Sequence, residues 1–243
     1  MRDWAGKRYW LVGASEGLGR AVAEKLSRMG VELVLSARSA ERLEAIHAQL
    51  PGRCEIVPLD VSDPASVAEA AASVGAIDGF VYLAGAYWPM TAKDWDAEKA
   101  ATMIDVNLTG AVRCLGHVVP AMLERGAGHI VLTGSLSAYR GLPGAVGYAA
   151  SKAGIGSLAD TLYADLRGTG IDVQVIHPGF IRTRLTDKND FDMPMIMEPD
   201  AAATRFVDHM AGDGFHAAFP APFSWLFRAS AIMPDWLYFR IFR

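Results

Sequence analysis

Between Arg8 and Gly85 the chain alternates short β-rich runs, at 9–13, 32–37, 55–59 and 79–83, with stretches rich in Ala, Leu and Glu that read as helices. Strands separated by helix-length patterns predict successive βαβ units, hence a mostly parallel sheet with helices on both faces. Helix starts carry their own marks. Ser39 precedes Ala40-Glu41-Arg42, where its hydroxyl can take a free backbone N–H, and Asp63 precedes Pro64, a residue suited to a first helical position. The alternation continues with a long helical region from about 96 to 124, a strand at 129–135, a helix from Tyr148 to about Arg167 and a strand at 172–177. There is no internal repeat. The pattern shifts once, after Pro220, where aromatic and basic residues take over.

With no Pro/Ser-rich linker or charge run in its middle, the 243-residue chain reads as one domain over 1–220, followed by an aromatic and basic extension over 221–243. A net charge of −4 gives no basic excess to attract nucleic acid. Cys54 and Cys114 stand far apart in apolar context and are expected as reduced core thiols. The first eight residues lack the apolar core of a signal peptide, and no uninterrupted apolar run reaches the roughly 20 residues a spanning helix needs. A cytoplasmic protein is therefore expected.

Candidate chemistry concentrates in Gly147-Tyr148-Ala149-Ala150-Ser151-Lys152-Ala153-Gly154. Residues four apart share a helix face, so Tyr148 and Lys152 stand side by side. A phenol with a pKa of roughly 10 exchanges protons poorly near neutrality, and an ammonium beside it favours the phenolate; a lowered Tyr148 pKa is expected. Upstream, Ser135 ends a strand, where an open α/β sheet puts its chemistry. The first strand-to-helix link, Gly13-Ala14-Ser15-Glu16-Gly17-Leu18-Gly19, lets a pyrophosphate approach the backbone and meet the N–H groups of a helix N-terminus.

With the glycine spacing Gly-x-x-x-Gly-x-Gly, then Ser135, then Tyr148-x-x-x-Lys152, the chain resembles the short-chain dehydrogenase/reductase family, of the compact single-domain kind, over residues 7 to about 185. Asn107, in Asp105-Val106-Asn107-Leu108-Thr109-Gly110, and the pair Pro178-Gly179 match further parts of the family pattern. The resemblance implies a Rossmann-like doubly wound parallel sheet with strand order 3-2-1-4-5-6-7, a nicotinamide cofactor, and hydride transfer to or from a carbonyl carbon. It implies catalytic roles for Asn107, Ser135, Tyr148 and Lys152. It further implies cofactor contacts from Gly13, Ser15, Gly17, Leu18 and Gly19, from Ala84 and Gly85, and from Pro178, Gly179, Ile181 and Thr183, beside Tyr148 and Lys152. Asp60 and Val61 would meet the adenine, with a helix cap as the competing role for Asp60. In these roles Tyr148 protonates the substrate oxygen, Ser135 donates to the same oxygen, Lys152 lowers the phenol's pKa and holds ribose hydroxyls, and Asn107 holds a water that leads from Lys152 to solvent.

The sequence departs from the family at Val12, where a Thr is usual, and at Tyr82-Leu83-Ala84-Gly85, where Asn-Asn-Ala-Gly is usual. Both departures remove hydrogen bonds that brace the sheet, so weaker local rigidity is expected there. At the end of the second strand Ala37 stands where an acid would hold the ribose hydroxyls, and Arg38 follows it. A guanidinium grips a phosphate bidentately, which favours NADP(H) over NAD(H); Glu16 in the glycine loop argues mildly the other way.

His129 and His177 sit at strand ends and read as structural, and no pair of histidines has metal-ligand spacing with a third partner, so no metal is assigned. The substrate wall is expected from Ala86-Tyr87-Trp88-Pro89, residues 136–144, and residues 185–199 with Met193, Met195 and Met197 as a flexible apolar lid. The expected substrate is an apolar ketone, aldehyde or secondary alcohol. A homodimer or homotetramer is expected through the two long helices, on the spacing of Ile155, Leu158, Leu162 and Leu166. In the extension, aromatic residues alternate with Arg228, Arg240 and Arg243. It is expected to pack on the substrate mouth or a neighbouring subunit; Asp235 and the net charge weigh against a membrane surface. Two rival readings stand beside the enzyme: a non-catalytic NADP-binding sensor on the same fold, and a membrane-associated member acting on a lipid-like substrate.

Overall fold

A computed structural model describes residues 2–242. Seven strands, β1 (Arg8–Val12), β2 (Glu32–Ser36), β3 (Cys54–Ile56), β4 (Gly79–Tyr82), β5 (Gly128–Thr133), β6 (Ile171–Pro178) and β7 (His216–Phe219), form one parallel sheet in the order 3-2-1-4-5-6-7. The expected topology is the observed one. Alternate residues of each strand enter opposite layers, as the two-residue period of a strand requires. Trp10, Val34, Phe80 and Ile130 pack against α3 (Pro64–Val74), α5 (Gly110–Arg125) and α6 (Val146–Asp165). Tyr9, Leu33, Val81 and Val131 pack against α1 (Gly17–Arg28), α2 (Ala40–His47) and α7 (Pro199–Met210).

Local chemistry sets the helix starts. Ser39 accepts from the Arg42 N–H at 3.3 Å and Asp63 from the Ala65 N–H at 2.9 Å, with Pro64 following. Between β4 and α5, α4 (Ala97–Ile104) is capped by Asp96 and runs into a π-helical turn at Asp105–Thr109. The expected unbroken helix over 96–124 is thus a run whose register slips by one residue, which turns Asn107 inward. The run Ala97–Arg125 is long and apolar enough to cross a membrane by composition, and it instead buries Met103, Cys114, Val118 and Met122 in the protein's core. β3 is shorter than expected, yet the Val57 and Leu59 N–H groups still donate to Leu35 and Ala37 of the β2 side. Cys114 is buried, whereas Cys54 is only half-buried.

Two expectations change here. Tyr82, in the place of an amide side chain, donates its hydroxyl to the Val106 carbonyl at 2.6 Å and so ties β4 to the π turn. A Cβ on Gly110 would lie 2.6 Å from that hydroxyl, so the glycine makes room for the tie. The expected loss of rigidity is offset at this point. Second, Ile155 of α6 and Leu166 at its C-terminal cap are buried in the protein's own core, with Leu158 and Leu162 half-buried against it. Their spacing serves the sheet, so it does not speak for a subunit interface.

The C-terminal residues form α8 (Phe223–Ser230) and α9 (Asp235–Ile241). Phe227 and Tyr238 are buried, and the Tyr238 hydroxyl donates to the Gly141 carbonyl at 2.6 Å. The extension is therefore packed on the loop that follows β5.

Candidate active site

All four residues with expected catalytic roles lie at the carboxyl ends of the central strands. Ser135 follows β5 in extended conformation, α6 brings Tyr148 and Lys152 to the same level, and Asn107 reaches in from the π turn. Gly134 has no space for a side chain, because a Cβ there would lie 2.3 Å from the His177 ring. The His177 Nδ1 stands 3.0 Å from the Ser135 carbonyl and 3.2 Å from its N–H, so the imidazole fixes the serine's backbone through whichever group its tautomer serves. Burial, then the charge of neighbouring His216, lowers the His177 pKa to about 4. It is neutral and structural, as is His129, whose two nitrogens meet Tyr9 and Gln174.

Lys152 is 4% exposed and its ammonium donates to the Thr133 carbonyl at 2.8 Å. Burial lowers its pKa to about 8. Tyr148 is half-buried, since solvent reaches it only through the cavities it lines. Burial raises its pKa to about 12, against the pull of the Ser135 hydroxyl. This corrects the expected lowering. The ammonium sits 5.8 Å from the phenol ring's centre and spends a hydrogen bond on Thr133, so desolvation outweighs its attraction.

Asn107 is held by the protein through its whole side-chain amide. Its Oδ1 accepts from the Ala86 N–H at 2.6 Å, and its Nδ2 donates to the Ala86 carbonyl at 3.0 Å and the Ser151 hydroxyl at 2.9 Å. Both amide hydrogens are taken, so the side chain clamps the loop after β4 to α6.

Tyr148 stands between two openings. On one side a cleft of about 760 Å³ runs past Gly17, Leu18, Gly19 and Gly85 to Thr133, Lys152, Pro178, Gly179, Ile181 and Thr183. Gly19, which lines it, admits no side chain because a Cβ would lie 2.1 Å from the Gly13 carbonyl oxygen, and Gly13 behind it admits none because a Cβ would lie 2.3 Å from the Ala84 nitrogen. The N-terminus of α1 opens into it with no side-chain cap and no acid in its first turn. The Thr133 hydroxyl is buried with no partner, and Lys152 lies at the far end. Free N–H donors, an ammonium and an orphaned hydroxyl fit a nicotinamide dinucleotide. Ser15 and Ala84 belong to the same loops.

Arg38 is exposed beyond β2 and makes no hydrogen bond or ion pair among the described residues. Asp60 lies nearby. Its burial is outweighed by hydrogen bonds from Ser62 and by the Arg38 charge, which together hold its carboxyl below the usual range. Asp63, not Asp60, caps α3, and Val61 is buried against Gly110. Glu16 accepts from Arg42 and from Arg184, each at 3.1 Å.

On the other side of Tyr148 lies a cavity, part of its roughly 740 Å³ open to solvent, walled by Leu136, Leu142, Phe180, Leu185, Phe191 and Phe227 and, among the described residues, by no charged one. Tyr87 crosses its mouth, its hydroxyl donating to Asn189 at 2.8 Å and its ring meeting Tyr148 edge-on at 5.0 Å. The expected methionine lid is not what lines it. Met197 packs on the core, Met193 accepts from Asn189, and Met195 is exposed with φ 57°, while Phe191 and Leu185 face the cavity. Trp88 instead receives the Lys188 ammonium over its ring at 4.4 Å. Thr133, Ser151 and Phe180 had no expected role; each is a common residue whose part depends on what the fold sets opposite it.

The family model for short chain dehydrogenase matches residues 7–193. An uncharacterized oxidoreductase of Myxococcus xanthus is 36% identical over 98% of this chain and 97% of its own. A sulfoacetaldehyde reductase of Chromohalobacter salexigens is 37% identical over 73% of each chain. Among solved structures, an alcohol dehydrogenase from the archaeon Thermococcus sibiricus, complexed with 5-hydroxy-NADP, superposes with a TM-score of 0.80 at 26% identity, covering 89% of this chain and 97% of that one.

Proposed function

The chain belongs to the short-chain dehydrogenase family of nicotinamide-dependent oxidoreductases, and from that premise we propose that it is an NADP(H)-dependent reductase of uncharged, apolar ketones or aldehydes. The observation that carries this reading is the position of Tyr148, at the one wall shared by a glycine-floored cleft and a cavity without charge. When bound, the nicotinamide supplies or takes the hydride. Tyr148, with a pKa near 12, keeps its proton through neutral pH and serves as the acid that delivers it to the substrate oxygen. Ser135 donates to the same oxygen from the end of β5. Lys152, charged below about pH 8, holds ribose hydroxyls and stabilises the phenolate left after transfer. Asn107 positions both by clamping Ala86 to Ser151.

The related sulfoacetaldehyde reductase acts on a sulfonate anion. Among the described residues no cationic side chain lines the cavity to pair with one, which argues for a neutral substrate. Arg38, free beyond β2, supports NADP(H). A cytoplasmic homo-oligomer, built through α5 and α6, is part of the same proposal; Val112, Leu123 and Tyr163 on those helices are exposed. NADPH oxidation measured across a panel of apolar carbonyls, with sulfoacetaldehyde as the anionic member and Tyr148→Phe as control, tests the reading. Turnover of apolar members that vanishes in the control is expected; a preference for sulfoacetaldehyde would overturn it.

A further inference from the structure

The two C-terminal helices are sided. Inward, Phe227 and Tyr238 are buried and Phe223 and Phe227 wall the apolar cavity. Outward, Trp225, Leu226, Trp236, Phe239 and Ile241 are exposed, and Ile232 between the helices is 90% exposed. Six large apolar side chains stand exposed within 17 residues, a density of the kind that marks an interaction surface. With 8 and 7 residues, neither helix can span a bilayer, which needs roughly 20 residues; each can lie in its interface.

Charge selects the occupant. Arg228 and Arg240 are exposed on this segment without an ion pair among the described residues, whereas the only carboxylate between 214 and 243 is Asp235. That carboxylate is held by Arg140, whose guanidinium also donates to the Met233 carbonyl and packs over the Tyr238 ring at 4.1 Å. Asp235, which the sequence sets against a lipid surface, is neutralised within the fold. A second copy is a poor occupant, since pairing patch with patch would gather Arg228 and Arg240 of both copies in one interface while the segment offers no unpaired acidic side chain among the described residues. Lipid phosphates supply that charge, and tryptophan and phenylalanine suit the headgroup boundary.

We propose that the outward face of α8 and α9 docks on an anionic lipid surface and that the cavity walled by the inward face of α8 takes its carbonyl substrate from that surface. The docked face and the cavity are one helix apart, on the order of 10 Å. The second half of the proposal rests on the carbonyl-reductase reading; the first does not.

Co-sedimentation of the intact protein with vesicles of phosphatidylcholine alone, and of phosphatidylcholine mixed with phosphatidylglycerol, reads the docking. Binding to the mixed vesicles that weakens with salt is expected, and Ile232→Asp with Trp236→Ser should reduce it about tenfold or more. On a water-soluble apolar ketone the double variant should keep the native kcat/KM, while on a long-chain aldehyde carried in mixed vesicles it should fall behind. No binding to mixed vesicles, binding untouched by the double variant, or a native dimer that the double variant turns into a monomer would each overturn the docking. Inactivity of the native protein on every soluble carbonyl would overturn the reductase reading alone, because sedimentation does not depend on turnover.

Discussion

The Lys152 ammonium donates to the Thr133 carbonyl at 2.8 Å, one helical turn past Tyr148 and almost out of reach of solvent. A charge so placed is kept at a cost to folding. Its pKa falls from 10.5 to about 8, so between those values the unfolded chain binds a proton that the native one does not, and stability rises with pH across that window. Below pH 8 the full penalty applies, about 3 kcal/mol. Lys152→Met should therefore raise stability at pH 7 by about 1–3 kcal/mol after losing the Thr133 hydrogen bond, and flatten the rise between pH 8 and 10.5. Urea unfolding at pH 7 and 9.5 measures both; a destabilised variant at pH 7 would contradict the argument. The same substitution should abolish turnover.

Tyr148→Phe keeps the ring that touches Tyr87 and removes only the acid. Turnover should fall by about 10²–10⁴, the usual worth of general acid catalysis, with cofactor binding retained by fluorescence titration. Near-native kcat on the best carbonyl substrate would remove Tyr148 from its role.

The fold was legible because strand and helix periods alternate strongly from Arg8 to β6, and because parallel strands buried on both faces leave few topologies to choose from. The place of Ser135, Tyr148 and Lys152 was legible for the same reason: strand ends and helix spacing fix them. What eluded the sequence depends on partners brought from afar. Tyr82 looked like a lost amide until the π turn placed the Val106 carbonyl over it. The phenol's pKa was misjudged because helix spacing predicts proximity to Lys152, whereas burial is set by Tyr87 and the loop carrying Leu142. β7, a four-residue His216–Phe219 run, is too short to show a period.

Two buried histidines set the acid limit. His129 has a pKa near 3 and His177 one near 4, both lowered first by burial from about 6.5. As pH falls below 6.5 the unfolded chain takes up protons that the native chain refuses, so stability is lost on acidification, about 2 kcal/mol for each by pH 5. Thermal unfolding from pH 7 to 5 should show this decline, and His129→Gln should shallow it.

Tyr82→Phe isolates the tie between β4 and the π turn. It removes the hydroxyl that donates to the Val106 carbonyl in a largely buried place, a loss of about 0.5–1.5 kcal/mol. Because Asn107 follows Val106 directly, the variant should also lower kcat. Unchanged stability would mean that the hydroxyl contributes nothing to the brace.

On the proposed NADP(H) reading, the cofactor's 2′ end meets Arg38, with Glu16, Arg42 and Arg184 close by. Arg38 is free among the described residues, while Glu16 occupies Arg42 and Arg184 through one carboxylate oxygen. All three partners of that pairing are substantially exposed, and such pairs contribute about 1 kcal/mol or less, so a phosphate can displace the carboxylate from Arg42 at small cost. The native protein should then favour NADPH in kcat/KM. Ala37→Asp with Arg38→Leu should shift the ratio toward NADH by about 1.5–3 kcal/mol, the worth of a hydrogen bond to a charged group. Glu16→Ala should move it the other way, raising NADPH preference several-fold as Arg42 comes free, with little change for NADH. The ratio of the two kcat/KM values decides: a native preference for NADH would take the phosphate from Arg38, and an unchanged ratio in Glu16→Ala would show that Arg42 stands outside the cofactor site.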